Sequence, residues 1–485
     1  MDKQRRRLAL LGGVGGAAAL LGSRRADADT AFTSFSFPIA GQTTNRTMPA
    51  RLADVFNVKD FGALGNWNGS TGNDDTSAIQ AAINAASAGG IVFFPPGTYH
   101  ITSRLTAFDS WACMTILGSG PGLNAVSNGT VIVGNFNDWL FTTEQKNNAH
   151  QPVKLIQGIT WQNTNTTAPT STDVTPGCIR ISSGIGVIIA DCEIDITAGI
   201  GIYLASQNHL VTNTNVTSRY PTQPSSIGIW ANSSWVENCK IQGCGTGIIF
   251  AGNGIVGGAS NIDIEVSGDG ILVGLNPIPW YDSNQSYPPL QVAQGEGGDT
   301  GVFENIGMES LYRAGIRIVG ANSCIFQAIK IVCNQQTALD GIIIDPAGGG
   351  GFCHHTRFSN IYITGAYSHS AVTMGQQCDG CVFETVRAQV TSGGGTPWIL
   401  PTQGGGGAGV GADPYVVVNC ENFSGAMPFS LRYTGPTAWG MTSVFSDSVD
   451  PVWTGTASNV GRPISGGGTH TVLGRWDGRR WVIAG

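Results

Sequence analysis

Between residues 187 and 390 short apolar stretches recur with the in–out alternation of strands rather than the wider stripe of helices. One template, apolar-x-(Asn/Asp)-apolar-x-apolar, fits Ile189-x-Asp191-Cys192-x-Ile194 and Val236-x-Asn238-Cys239-x-Ile241. It also fits the segments marked by Asn213, Asn261, Asn305 and Asn360, with Thr214 in one apolar slot. Ala328 and Thr385 hold the marker position where the Asn is lost. The steps from Asp191 to Thr385 are 22, 25, 23, 44, 23, 32 and 25 residues. A second track, a small residue followed by apolar-x-apolar, runs in parallel through Gly199-Ile200-Gly201-Ile202, Gly247-Ile248-Ile249, Gly270-Ile271-Leu272-Val273, Gly315-Ile316-Arg317-Ile318 and Gly341-Ile342-Ile343-Ile344. Its step also nearly doubles between Ile271 and Ile316, so both tracks place a loop insertion there.

A fixed period of about two dozen residues predicts a solenoid. No single coil buries its apolar face alone, so the coils must stack. The expected fold is all-β, a right-handed parallel β-helix. The marker Asn belongs to a turn that needs φ > 0, and stacked amides bond along the axis; these residues receive no catalytic role. A short capping helix is expected where Asp74-Asp75-Thr76 offers N-cap residues and Ala78, Ile79, Ala82, Ile83 and Ala86 make one apolar stripe. Residues 472–482 read as a hairpin around Asp477-Gly478.

Residues 1–28 add a leader ahead of this fold. Arg5-Arg6-Arg7, an apolar run from Leu8 to Leu21 and Ala26-Asp27-Ala28 form a twin-arginine-like export signal. The expected destination is the periplasm or the medium, with no integral membrane segment after cleavage. The expected division is 1–28 leader, 29–54 extension, 55–445 β-helix and 446–485 C-terminal cap. Cleavage removes six of 25 basic and two of 32 acidic side chains, leaving a balance of −11. That acidity, without a basic patch, excludes nucleic acid as partner. Seventy glycines fit many tight turns. The eleven cysteines are an odd number. Cys192, Cys239 and Cys420 fall on a repeated inward position, as small buried hydrophobes do. Cys378-x-x-Cys381, which could form a disulfide or half a metal site, and Cys353-His354-His355 both read as solvated loop residues ahead of ligands. No cofactor is expected, although calcium enters if the reaction is that of a lyase.

Three blocks in order carry a family resemblance: Val58-Lys59-Asp60-Phe61-Gly62-Ala63, the run from Asn73 to Ile83, and Gly90-Ile91-Val92-Phe93-Phe94-Pro95-Pro96-Gly97-Thr98-Tyr99. They resemble the start of the pectate lyase superfamily, also called rhamnogalacturonase/epimerase-like β-helix proteins. The stretch 66–72 departs from it, being longer than the compact turn usual there. The resemblance implies the β-helix fold and action on a polysaccharide, but its members span hydrolases, lyases, epimerases and tailspikes. The Asn-Thr-Asp and Gly-His-Gly motifs of the polygalacturonase branch are missing, and Asp74-Asp75, at the start of the expected capping helix, does not read as its catalytic Asp-Asp.

Glycan cleavage generally uses two carboxyl groups. Counting four residues on from Asn261 and Asn305 gives Glu265 and Glu309, outward-facing and stacked if their coils are adjacent. Like charges one strand apart raise one pKa, which suits a general acid. Asp269 opens the next strand, and Asp340 holds the equivalent place two coils on. These four acids are the candidate catalytic residues. Trp280 and Tyr281 on the inserted loop, with Arg313 and Arg317, are the candidate substrate-binding residues, and Arg313 has Glu309 as a candidate ion-pair partner. The expected activity is polysaccharide cleavage, with hydrolase ahead of lyase. The alternative is a non-catalytic, glycan-binding or structural tailspike-like protein, with a homotrimer left open.

Overall fold

The computed structural model describes residues 54–485 apart from 109–111, 123–127, 145–151, 168–176, 183, 206, 219–225, 252–256, 266, 275–297, 345–352, 375–377, 380, 400–415, 419, 423–428, 435–439, 446–451, 454–473, 477–480 and 484–485. Between Gly90 and Asn422 the strands pair in parallel, coil upon coil, as a right-handed β-helix. A regular coil carries three strands, as in Ile188–Ala190, Glu193–Ile196 and Gly199–Leu204. The next coil repeats them at Leu210–Thr212, Asn215–Ser218 and Ser226–Asn232. Register is kept across the step: Ile189 lies opposite Val211, Ile194 opposite Val216, and Ile202 opposite Ile229.

Alternation places Ile189, Val211 and Val236 in the interior, all fully buried. In the later coils the first apolar slot of the template is Phe. Phe303, Phe326, Phe358 and Phe383 form a buried ladder with ring centroids 4.5, 5.1 and 4.7 Å apart and planes within 7°. Each ring contributes roughly 1.5–3 kcal/mol by burial, and each stacked contact about 0.5–1.5 more.

All eight marker residues adopt the left-handed conformation, from φ 49° at Asn213 to 57° at Asn360, including Ala328 at 53° and Thr385 at 55°. The turn is therefore dictated by the coil, and the coil keeps it where Asn is absent. The amides bond along the axis: Asn261 Nδ2 donates to Asn238 Oδ1 at 3.1 Å, and Asn305 Nδ2 to Asn261 Oδ1 at 2.5 Å.

The helix Thr76–Ala85 buries Ile79, Ala82 and Ile83. It closes the end of the stack through a side chain. Thr106 N donates to Gln80 Oε1 and Gln80 Nε2 donates to Thr106 O, both at 2.8 Å. The amide thus occupies the place of a further strand on Leu105–Phe108, covering an edge that would otherwise pair with another chain. Asp75 is the N-cap by position but does not cap by its side chain. Its buried carboxyl instead accepts from Leu64 N at 2.7 Å and Gly65 N at 3.1 Å, while Asp74 accepts from Thr76 N at 3.0 Å. At the other end Gly474–Trp476 pairs antiparallel with Trp481–Ile483.

Cys192 and Cys239 are buried, and burial pushes both thiols up to about 12. Neither Cys353 nor Cys381 is a solvated loop residue: both are buried, Cys353 in a short strand, with their sulfurs 3.6 Å apart. The side chain of Cys378 lies outside the described residues. Among the described residues no helix is long and apolar enough to cross a membrane.

Candidate functional site

The third strand of each coil builds a sheet whose outer face carries two rows of side chains. In register, one row runs Ile200, Ile227, Thr246, Asp269, Ala314, Asp340, Ser370. The other runs Tyr203, Trp230, Ile249, Leu272, Arg317, Ile343, Thr373. Ile200, Ile227, Trp230, Ile249 and Leu272 cluster as one apolar patch. From Asp269 onward charged and polar groups enter both rows, Asp269, Asp340 and Ser370 in one and Arg317 and Thr373 in the other, among Ala314, Leu272 and Ile343.

Asp269 is fully buried, with Oδ2 3.3 Å from Arg313 Nε, and Oδ1 accepts from Ala314 N at 3.2 Å. Arg313 also donates from Nη2 to Gly245 O. A Cβ at Gly268 would come 2.5 Å from that Nη2, so glycine there leaves room for the guanidinium. Arg313 therefore pairs with Asp269, not with Glu309 as the sequence suggested. Buried charges of this kind are retained only with close partners.

Asp340 is also fully buried, two register steps beyond Asp269. Its Oδ1 accepts from Thr373 Oγ1 at 2.7 Å and lies 2.8 Å from His369 Nδ1. The imidazole is half-exposed, at 49%. A carboxylate on Nδ1 fixes the ring and leaves Nε2 as the free, basic nitrogen. Arg317 is buried between Leu272 and Ile343, two strands from Thr373. Beneath them Tyr367 is buried, and desolvation, with the neighbouring Cys333 and Asp340, holds its phenol well above the ordinary range.

Glu265 and Glu309 lie opposite one another on adjacent coils, with the 275–297 segment between them in sequence. Both stand at the corner that leads into the third sheet. Lys240 Nζ lies 2.9 Å from Glu265 and 3.4 Å from Asp263, and the bond to Glu265 raises its pKa. These groups are solvent-exposed, so the bridges contribute little stability. Trp280 and Tyr281 lie outside the described residues. Among the described residues no group of three or more His, Cys, Asp or Glu side chains is arranged to hold a metal.

The structure thus brings Asp269, Arg313, Arg317 and Asp340 onto one face and sets Glu265 and Glu309 beside it. Sequence reasoning missed His369. The register shifts between Cys333 and Asp340 remove the count that would have placed it beside Asp340.

Residues 55–148 match the family profile described as rhamnogalacturonase A/epimerase, pectate lyase-like. Over 79 residues the chain is 48% identical to mannuronan C5-epimerase AlgE6 of Azotobacter vinelandii, a stretch covering 15% of this chain and 8% of that protein. Over 73 residues it is 45% identical to alginate lyase 7 of the same organism, covering 14% and 8%. The chain therefore spans under a tenth of the length of these relatives. Among solved structures, the A-module of Azotobacter vinelandii AlgE6 superposes with a TM-score of 0.51 at 16% identity, over 76% of this chain and 100% of the module. Residues 55–148 are thus similar to the rhamnogalacturonase A/epimerase, pectate lyase-like family in sequence, and the coils after them continue the same parallel β-helix.

Proposed function

We propose that this protein modifies a uronate-containing polysaccharide by removing a ring proton next to the carboxylate, as a lyase or an epimerase does. The observation that carries the reading is the half-exposed His369 held at Nδ1 by the buried Asp340. In this reading His369 Nε2 takes the proton, Asp340 orients the ring and stabilises the imidazolium, and Arg317 offsets the charge that develops on the uronate. Electrons left on carbon then either regain a proton from the opposite face, which inverts the centre, or expel the glycosidic oxygen and leave an unsaturated uronate. The names of the relatives, a mannuronan epimerase and an alginate lyase, support the same chemistry. Residues 1–28 serve export in this reading.

Hydrolysis is the second reading. Glu265 and Glu309 are register neighbours, one strand spacing or about 4.8 Å apart. That approaches the roughly 5–5.5 Å between the carboxyl groups of retaining glycosidases. Asp269 and Asp340 suit hydrolysis less, because both are fully buried and held by partners.

The test is a panel of acidic and neutral polysaccharides incubated in D2O. Ring deuterium, ultraviolet absorbance of unsaturated uronates and new reducing ends are followed together. Proton abstraction gives deuterium or absorbance, and His369→Ala abolishes it. Reducing ends without either signal, lost in Glu265→Gln and Glu309→Gln, would replace it with hydrolysis. Silence across the panel would leave the glycan-binding alternative.

A further inference from the structure

The apolar half of the same sheet face holds a second polar cluster. Trp139 lies over Gly177, where a Cβ would come 2.2 Å from the indole, and its ring reaches Tyr203 at 6.1 Å between centroids. Tyr203 meets Trp230 at 5.1 Å. The Arg180 guanidinium sits over the Tyr203 ring at 5.9 Å. Asn232 Nδ2 donates to Ala205 O at 3.4 Å.

Four buried polar atoms in this cluster have no protein partner: Trp139 Nε1, Arg180 Nε, Trp230 Nε1 and Asn232 Oδ1. Folded proteins rarely leave such atoms unsatisfied, and a group of them needs an explanation. Among the described residues no carboxylate pairs with Arg180, unlike Arg313, which has Asp269. Arg180, Tyr203 and Asn232 are partly exposed, while Trp139 and Trp230 lie beneath them.

We propose that Trp139, Arg180, Tyr203, Trp230 and Asn232 form a subsite that binds one acidic sugar residue of the polymer. The partly exposed Tyr203 ring, backed by the buried Trp139 and Trp230, supplies the apolar face on which a pyranose packs. Arg180 supplies the planar fork that fits a carboxylate. Asn232 Oδ1 accepts from a hydroxyl. Arg180 and Arg317 stand on one row, five register steps apart, or about 24 Å at the strand spacing. The subsite is thus separate from the place of His369 along the stack. Its acidic specificity rests on the uronate reading above, yet its test requires no turnover.

The experiment is a binding titration of the full chain with oligomannuronate, oligogalacturonate and a neutral oligoglucan of equal length, read by calorimetry and by tryptophan fluorescence. An acidic oligomer binds and shifts the fluorescence, Trp230→Phe reduces that shift, and the neutral oligomer binds at least tenfold more weakly. Arg180→Ala weakens the acidic oligomer about tenfold or more with an unchanged melting temperature, and Arg180→Lys recovers only part. Equal affinity of Arg180→Ala and wild type, equal binding of the neutral oligomer, or no binding by wild type overturns the subsite. Binding lost in Arg180→Ala, with no product from wild type, keeps the subsite and rejects the catalytic reading.

Discussion

The two halves of the outer face of the third sheet share one register and differ in what fills it. Up to residue 251 the rows carry Ile200, Ile227, Tyr203, Trp230 and Ile249. From residue 269 the same rows carry Asp269, Arg317, Asp340 and Thr373, with Arg313 and His369 beside them. Since the backbone repeats, the substitution of charge for hydrocarbon is not imposed by the fold. Apolar side chains at these positions stabilise the stack by roughly 1.5–3 kcal/mol each. Buried ions need partners merely to break even. That the solenoid gives up hydrocarbon for charge over a few adjacent coils is the reason those coils are proposed as the site.

The largest expected effect separates the halves by function. His369→Ala lowers turnover by about 10²–10⁴-fold, while Ile227→Ala leaves the rate per folded molecule unchanged; steady-state assays on both, corrected for folded fraction, check this. Next comes stability. Asp269→Ala leaves the Arg313 guanidinium buried without its carboxylate and lowers unfolding free energy by about 3–5 kcal/mol. The pair Asp269→Leu with Arg313→Met recovers most of that loss, because the site then resembles the apolar half. Urea denaturation of both variants measures it. If the double variant is no more stable than the single one, the charged half is not simply the apolar half with ions inserted.

How legible these halves were depends on what repeats. The stack was readable because Asp191, Asn213, Asn238 and the later markers recur at near-constant steps, and each does take φ near +50°. The adjacency of Glu265 and Glu309 followed from counting within that repeat. Partners did not follow, since a repeat fixes which residues stack but not which rotamer a long side chain chooses. Arg313 thus turned to Asp269 rather than Glu309. His369 was hidden for another reason. It lies in Arg357–Met374, where the register with the preceding strand shifts between Cys333 and Asp340, so counting loses its footing there. The Gln80 edge cap was equally unreadable, because a glutamine on a helix carries no sign that it will stand in for a strand.

A pH test sharpens the contrast from the apolar side. His209 is buried there, Val187 N donates to its Nδ1 at 3.1 Å, and burial lowers its pKa from 6.5 to about 4. The neutral ring is favoured in the folded state, so its contribution is whole above about pH 6.5. It is lost as the pH falls from there toward 4, by about 3 kcal/mol in all. Denaturation at pH 7.5 and pH 4.5 should show wild type losing about that much relative to His209→Asn. Parallel losses in the two proteins would assign the acid sensitivity to other groups.

The smallest effect concerns the turn column that both halves share. Ala328 holds φ 53° between Asn305 and Asn360 in the stack. A left-handed alanine costs roughly 1–2 kcal/mol, and asparagine tolerates that conformation better. Ala328→Asn should therefore raise stability by about 1 kcal/mol, partly through backbone relief and partly by donating to Asn305 Oδ1. Ala328→Gly separates the two contributions: it relieves the backbone without an amide, but adds freedom to the unfolded chain. If Asn gains clearly more than Gly in paired urea melts, the amide ladder itself stabilises the column. If the two gain equally, the recurring asparagines are there for their φ alone, and the ladder is a by-product of stacking.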